Sequence, residues 1–533
     1  MRISTSQFYE ASTANYQRNY ANVVKTSQEV ASETKLNTAA DDPVGAARVL
    51  QLAQQNSMLT QYKSNISTIN TNVNNTETAL KSIQDSILAA RDLVLKAGNG
   101  SYTDKDRIST AGELRELQKN ILGLMNSQDS NGQYMFSGSK SSTAPYSMNA
   151  DGTYSYNGDQ NAPTLAVGDG LKLAAGTTGF EAFEQALNTT RTSSTLISPA
   201  TDDGKVTLSG GLVQSTNTYN SSYQSGEPYS LTFISATEFR ITDGATPPND
   251  VTVDASNAGK MDYTTFADQT FTFRGVELKL NLNLGDADKA TPAAANTALT
   301  GRSYQLASTP DSITVARSPG NPSATTVSGA AVGTSAADKT AYNNVFPTTG
   351  AVLKYSSTNG YELYASPYTA GNSPVAAGVV TGSVVKAAGV EFTIAGGPPA
   401  DGDTFLVQGG THQTENILNT LTNIINVLNT PTDGDLVKTQ QLNAALTSAL
   451  GNVSSSLEQV STAISAGGAR QVAAGAQDTT NDLLMGNNTN ESDSYVKADV
   501  IEASTRLQLQ KTMLEASQMV FTQLSRLNLF SQL

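Results

Sequence analysis

The chain contains no cysteine and no tryptophan, and it has one histidine, His412, in 533 residues. Disulfide scaffolds, cysteine-ligated metal sites and thiol nucleophiles are therefore excluded. A triad or zinc site that depends on histidine would have to manage with one. No convergent acid/base or nucleophile set is visible, so an enzyme is not expected and no cofactor or metal is called for. The formal net charge is −14. Phosphate neutralisation needs a basic face, so nucleic-acid binding is not expected. No apolar run approaches the ~20 residues of a membrane span. The opening MRISTSQFYEASTANYQ lacks an apolar core, so it does not read as a cleaved signal peptide.

Helical heptads occupy roughly the first 140 and last 120 residues, and the stretch between them is polar and rich in Gly, Thr, Ser and Asn. The fold class expected is multidomain α+β: a long α-helical, coiled-coil body built from both termini, with a β-rich insertion. The division expected is 1–41 with 493–533 as terminal helices, 42–170 with 412–492 as a helical shell carrying a β-hairpin, and 171–411 as the insertion, read as one or two modules. Residues 140–412 hold 23 Asp/Glu against 14 Lys/Arg, so this region carries most of the excess negative charge, as a solvated outer surface would.

The spacing predicts a first helix over about 4–36. Tyr9, Thr13, Tyr16, Tyr20, Val23, Ser27 and Val30 form a thin seam with hydroxyls where a stable coiled coil has Leu or Ile. Such a helix alone is marginal. Asp42-Pro43 reads as a cap followed by Pro at the first helical position. From there Leu52, Leu59, Tyr62, Ile66, Ile69, Val73, Thr76, Leu80, Ile83, Ile87, Ala90 and Val94 keep 3/4 spacing up to Gly98-Asn99-Gly100. That is a helix of roughly 80 Å at 1.5 Å per residue. A third helix begins at Thr103-Asp104, with Ile108, Leu114, Leu117, Ile121 and Leu124 on one face. Gln133–Gly138 reads as a short strand, and Tyr154 and Tyr156 as one arm of a hairpin.

Within the insertion, Arg274–Leu280 echoes Ala388–Ile394, which marks either related β-modules or chance. Helical spacing returns after His412, itself read as a loop residue. Ile417, Leu421, Ile424 and Leu428 share a face that Pro431 stops. Leu442, Leu446, Leu450, Val453, Leu457, Val460 and Ile464 follow, and Gly467-Gly468 either ends this helix or lies inside a longer one. The last helix, expected from about Asp493, shows Val500, Ala503, Leu507, Leu514, Phe521 and Leu524 on one stripe. Leu509, Met513, Ala516, Val520 and Leu527 form a second, and two stripes suggest more than one neighbour.

These segments carry a resemblance. The MRIST start, Leu36–Arg48 with its Asp41-Asp42-Pro43 turn, Gly132–Gly138, Gly402–Phe405, Gly468-Ala469-Arg470 and Leu527–Leu533 resemble the bacterial flagellin superfamily. Within it they are more similar to the junction proteins between hook and filament than to filament subunits. The long insertion and the Ser531-Gln532 ending depart from the junction pattern, which keeps a flagellin as the alternative and a surface adhesin as a more distant one.

The resemblance implies an extracellular structural role in the flagellum, with export by the flagellar type III apparatus and terminal helices that form an inner coiled coil on assembly. Implied partners are copies of the chain itself, a hook-side junction protein, flagellin and a cytoplasmic export chaperone. Candidate assembly residues are Tyr9, Tyr16, Val23, Val30, Asp41, Asp42, Pro43, Val500, Leu507, Leu514 and Phe521. The implied chaperone-binding tail comprises Leu524, Leu527, Leu529, Phe530 and Leu533.

Overall fold

The computed structural model describes residues 5–149, 152–309, 311–347, 350–410 and 412–529. Its helices are α1 (Thr5–Ser32), α2 (Pro43–Ala97), α3 (Asp104–Met125), α4 (Pro292–Leu299), α5 (Ala336–Val345), α6 (Ile417–Leu428), α7 (Leu436–Val496) and α8 (Val500–Leu529), apart from shorter turns. The chain divides into two compact units. One comprises residues 1–73, 163–175 and 468–533, and the other 74–162 and 176–467.

In the first unit α1 pairs with α8. The early part of α2 and the late part of α7 carry a small β-hairpin, β3 (Thr164–Gly168) with β4 (Leu171–Ala174). Ile66, Ile69 and Val73 meet Val167, Ala175 and Ala474 in a compact apolar cluster. The hairpin is pinned by two amides: Asn65 donates to the Ala166 carbonyl at 2.7 Å and Asn481 to that of Val167 at 2.9 Å. Arg48 grips Glu491 through two parallel bonds of 2.7 and 3.1 Å, a planar fork that a lysine could not reproduce.

The helical part of the second unit buries the expected stripes. Leu80, Ile83, Ile87, Ala90 and Val94 of α2 pack with Leu114 and Ile121 of α3, Leu421 and Ile424 of α6, and Leu446 and Val453 of α7. One expectation fails on α3: Ile108 is exposed, and Arg107 lies on the buried face instead. Its guanidinium bonds Asp433 at 2.8 Å, Asp104 at 3.2 Å and the Tyr102 carbonyl at 2.7 Å, joining the start of α3 to the α6–α7 loop. Gln133–Gly138 is a series of turns with one isolated bridge, Gln128 to Tyr134, and not a strand. The tyrosine hairpin is present as β1 (Tyr146–Met148) and β2 (Tyr154–Tyr156).

The insertion contains two β-modules with separate cores. The first combines two four-stranded sheets. One is ordered β5 (Thr192–Ser198), β12 (Ser303–Ser308), β8 (Tyr229–Phe233), β9 (Phe239–Thr242). The other is ordered β10 (Gln269–Phe273), β11 (Val276–Leu282), β6 (Val206–Leu208), with β7 (Leu212–Val213) also on β11. Tyr229, Leu231 and Phe233 of β8 (Tyr229–Phe233) and Phe271 and Phe273 of β10 (Gln269–Phe273) alternate into its core, with α4 alongside. The second is a nine-stranded antiparallel sheet around Leu353, Leu363, Phe392 and Phe405. Its order is β17 (Ala376–Ala377), β16 (Gly360–Ala365), β15 (Ala351–Ser356), β21 (Thr404–Gly410), β13 (Ser312–Arg317), β14 (Thr326–Val332), β20 (Val390–Ala395), β19 (Val384–Ala387), β18 (Val379–Thr381).

The sequence echo corresponds to a shared turn. Arg274-Gly275 joins β10 to β11 (Val276–Leu282), and Ala388-Gly389 joins β19 (Val384–Ala387) to β20 (Val390–Ala395). All four residues have positive φ, the two-residue hairpin geometry that matches strand twist. A Cβ on Gly389 would sit 2.1 Å from the Asp338 carbonyl oxygen of α5, and only glycine permits that approach.

The insertion leaves and rejoins the helical part as an antiparallel ribbon in which Leu187 bridges Thr414. The Asn188 amide donates to Gln413 and that of Glu415 to Ala186, both at 2.9 Å. Asn452, buried on α7, clamps this root. Its amide nitrogen bonds Glu415 at 2.8 Å, Thr190 at 3.1 Å and Asn188 at 3.2 Å, and its oxygen accepts the Thr189 amide at 2.6 Å.

Candidate assembly surface at the terminal helices

The α1–α8 pair has a heptad seam on each side. On α1 the positions turned inward are Ser12, Tyr16, Asn19, Val23, Thr26 and Val30, and on α8 Ala503, Leu507, Gln510, Leu514, Ser517 and Phe521. Both follow the alternating 4/3 spacing of a two-stranded coiled coil. Tyr16 stacks on Phe521 with ring centres 6.2 Å apart, and Gln518 reaches the Tyr16 hydroxyl at 3.4 Å. Glu29, 7% exposed, pairs with Arg506. Thr26, Asn19 and Gln510 put polar groups where apolar knobs would bind most tightly. They cost stability and favour one register.

Of the candidate residues, Tyr16, Val23 and Val30 are thus partly buried on the seam of α1 and Leu507, Leu514 and Phe521 on that of α8, with Tyr16 on Phe521. Two members of the expected seam lie elsewhere: Tyr20 is 55% exposed and Ser27 is exposed, with Asn19 and Thr26 in their places. Val500 keeps the seam spacing, three residues before Ala503, but at the first residue of α8 it is 41% exposed. The side chains of Tyr9, Leu524, Leu527 and Leu529, and the whole of Phe530 and Leu533, lie outside the described residues. The second stripe of α8 is open: Leu509, Met513 and Val520 are all exposed in the single chain.

The start of α8 differs from expectation. Asp493 belongs to α7, and the break falls at 497–499, where Thr34 and Lys497 form an isolated antiparallel bridge. The Lys35 amide donates to Val496 at 2.8 Å and that of Ala498 to Glu33 at 2.9 Å. Asp499 then caps α8 by accepting from Ile501 and Glu502 at 2.9 and 3.2 Å. An acidic cap before Val500-Ile501 was the available signal.

Asp41, Asp42 and Pro43 divide the work at the α1–α2 turn. Asp42 accepts the amides of Val44 and Gly45 at 3.1 and 2.9 Å, capping α2 behind Pro43. Asp41 instead takes Lys25 at 2.7 Å and the amide and hydroxyl of Thr38 at 2.9 and 3.0 Å. These bonds, led by Lys25, hold its carboxyl down at about 2. Gly45 is tight: a Cβ there would lie 2.4 Å from Asp42 Oδ2 and 3.3 Å from the Tyr495 ring.

At Asp401-Gly402-Asp403, a loop with an acidic pattern, Asp403 is buried and accepts the amides of Ala400 and Ser323 at 2.9 and 3.2 Å, so it pins the loop. Among the described residues there is no group of three potential metal ligands, and no helix is long and apolar enough to cross a membrane.

Residues 3–141 match the family model for the bacterial flagellin N-terminal helical region. The chain is 28% identical over 183 residues to flagellar hook-associated protein 3 of Salmonella typhimurium, and 27% identical over 184 residues to that of Escherichia coli. Each match covers 34% of this chain and 57% of the relative's length. Among solved structures it is similar to the flagellar junction protein FlgL from Legionella pneumophila, with a TM-score of 0.46 and 19% identity over 84% of this chain and 100% of that one. A putative flagellar hook-associated protein from Vibrio parahaemolyticus is 33% identical, covering 28% of this chain and 65% of that one, with a TM-score of 0.26. Residues 3–141 are thus similar to the bacterial flagellin N-terminal helical region, and about a third of the chain is similar to flagellar hook-associated protein 3.

Proposed function

We propose that this chain is the junction subunit between hook and filament of a bacterial flagellum, a structural protein and not a catalyst. The observation that carries the reading is the similarity to flagellar hook-associated protein 3. The open second stripe of α8 supports it, since a subunit that assembles must keep apolar surface for its neighbours. In this reading α1 and α8 form the inner layer, α2, α3, α6 and α7 with the two small hairpins the shell, and the chain between Leu187 and Thr414 the outward insertion. Copies contact head to tail, and such heterologous contacts generate rings or helices. Tyr16, Val23, Val30, Leu507, Leu514 and Phe521 hold the terminal pair in register. Leu509, Met513 and Val520 meet the next copy, a hook-side junction protein or flagellin. Leu524, Leu527, Leu529, Phe530 and Leu533 are the segment an export chaperone would hold before type III export to the cell exterior.

The test is a chromosomal deletion, followed by electron microscopy and analysis of the medium. Bare hooks with monomeric flagellin in the medium are expected. Loss of the filament protein itself would make this chain the flagellin, and normal filaments would end both readings.

A further inference from the structure

Among the described residues three arginines are almost wholly buried: Arg107, Arg191 and Arg302. Arg107 is neutralised by Asp104 and Asp433, and Arg302 by Asp203. Arg191, 2% exposed, has no ion-pair partner among the described residues. It donates to two neutral oxygens, the Thr216 hydroxyl at 3.0 Å and the Gln413 carbonyl at 3.3 Å, and lies 4.6 Å from the centre of the Tyr219 ring. Its Nε has no hydrogen-bond partner among the described residues. Burial pulls the guanidinium pKa down, with only Tyr219 acting the other way. A desolvated cation held by neutral acceptors alone is unfavourable, and an anion at the same place relieves it.

Room for one exists. Arg191 lines a cavity of about 250 Å³, together with Tyr219, Gln224, Asp311, Tyr342 and His412. The first three residues come from the first β-module, and the others from the second and its return to the helical part. At ~30 Å³ per water, the cavity holds a small polyatomic anion with some of its hydration. Among the described residues Asp311 is the one acid on the wall, and its oxygens accept from the Tyr342 hydroxyl at 3.0 Å and the His412 amide at 3.4 Å.

We propose that this cavity binds a small oxyanion, a carboxylate or a phosphate, which neutralises Arg191 and is also held by Gln224 and His412. Its occupant touches both β-modules and fastens one to the other. The proposal does not depend on the flagellar reading.

His412 is the sole histidine, so one imidazole resonance reports on the cavity in the full chain. Histidine-labelled protein is titrated with sodium phosphate and, separately, with sodium acetate, at fixed pH and with chloride balancing ionic strength. A saturable shift with either anion is expected. Phosphate alone assigns a phosphoryl ligand, and acetate a carboxylate. Gln224→Ala should weaken the response roughly tenfold, the loss of one hydrogen bond to a charged group. Arg191→Lys keeps the charge but loses the fork and should also weaken it; if that variant does not fold, Gln224→Ala decides. No saturable shift beyond chloride with either anion, or an unchanged response in Gln224→Ala, overturns the proposal.

Discussion

Glu415 ties the protonation of one carboxyl to the attachment of the insertion. It accepts from Asn452 and Asn423, each at 2.8 Å, at the point where the chain re-enters the helical part. Burial outweighs these bonds and raises its pKa from 4.5 to about 7. A carboxyl with a raised folded pKa binds its proton more tightly folded than unfolded. Its stabilising contribution is complete below about pH 4.5 and is lost as the pH rises through 7. Glu415→Gln should therefore flatten the dependence of the melting midpoint on pH across this window and raise the midpoint at pH 8, by up to ~3 kcal/mol of stability. Thermal melts of the two proteins from pH 4 to 8 check this, and parallel profiles would rule it out. The Asp42 cap was legible in the sequence because its partners are two and three residues away. The environment of Glu415 was not, because Asn452, itself bonded to Asn188 and Thr190, reaches it only through the folded chain.

At the level of elements, the terminal pair rests on a polar seam in which Glu29 and Arg506 supply a charge match. Glu29→Lys places two cations together at a largely buried position and should lower the helix melting midpoint in circular dichroism. Adding Arg506→Glu should recover most of the loss; a double variant no better than the single one would mean that the pair does not set the register. The sequence conveyed α2 almost in full, since every expected stripe residue but the half-buried Tyr62 is buried. Leucine and isoleucine at 3/4 spacing leave one reading of the face. The α1 seam was misread at Tyr20 and Ser27: Asn19 and Tyr20 both fit the spacing from Tyr16, and hydropathy favoured the tyrosine that the structure exposes. Gly467-Gly468 did not end a helix. α7 runs through them, because two glycines cost roughly 2 kcal/mol, less than the packing of a 61-residue helix returns. At the break at 497–499 the Asp499 cap was the local signal, whereas the bridge to Thr34, far away in sequence, was not legible.

For the whole molecule, the separate cores of the two β-modules predict separable folding. Ser312 on β13 (Ser312–Arg317) pairs with Gly410 on β21 (Thr404–Gly410), so the second module begins and ends on neighbouring strands. Replacing residues 312–410 with a short glycine-serine linker should remove one calorimetric transition and leave the rest of the melting profile in place. Loss of all cooperative melting would show the modules to be one folding unit. The same closure recurs at the root of the insertion, where Leu187 faces Thr414. Two paired strands hold those ends about 5 Å apart, whatever the length of chain between them. The entropy of closing the intervening loop is already met by the folded insertion and would grow only as the logarithm of its length. Selection can thus lengthen, exchange or shed the middle of this protein while the helical ends keep the same sequence, the same seam and the same job.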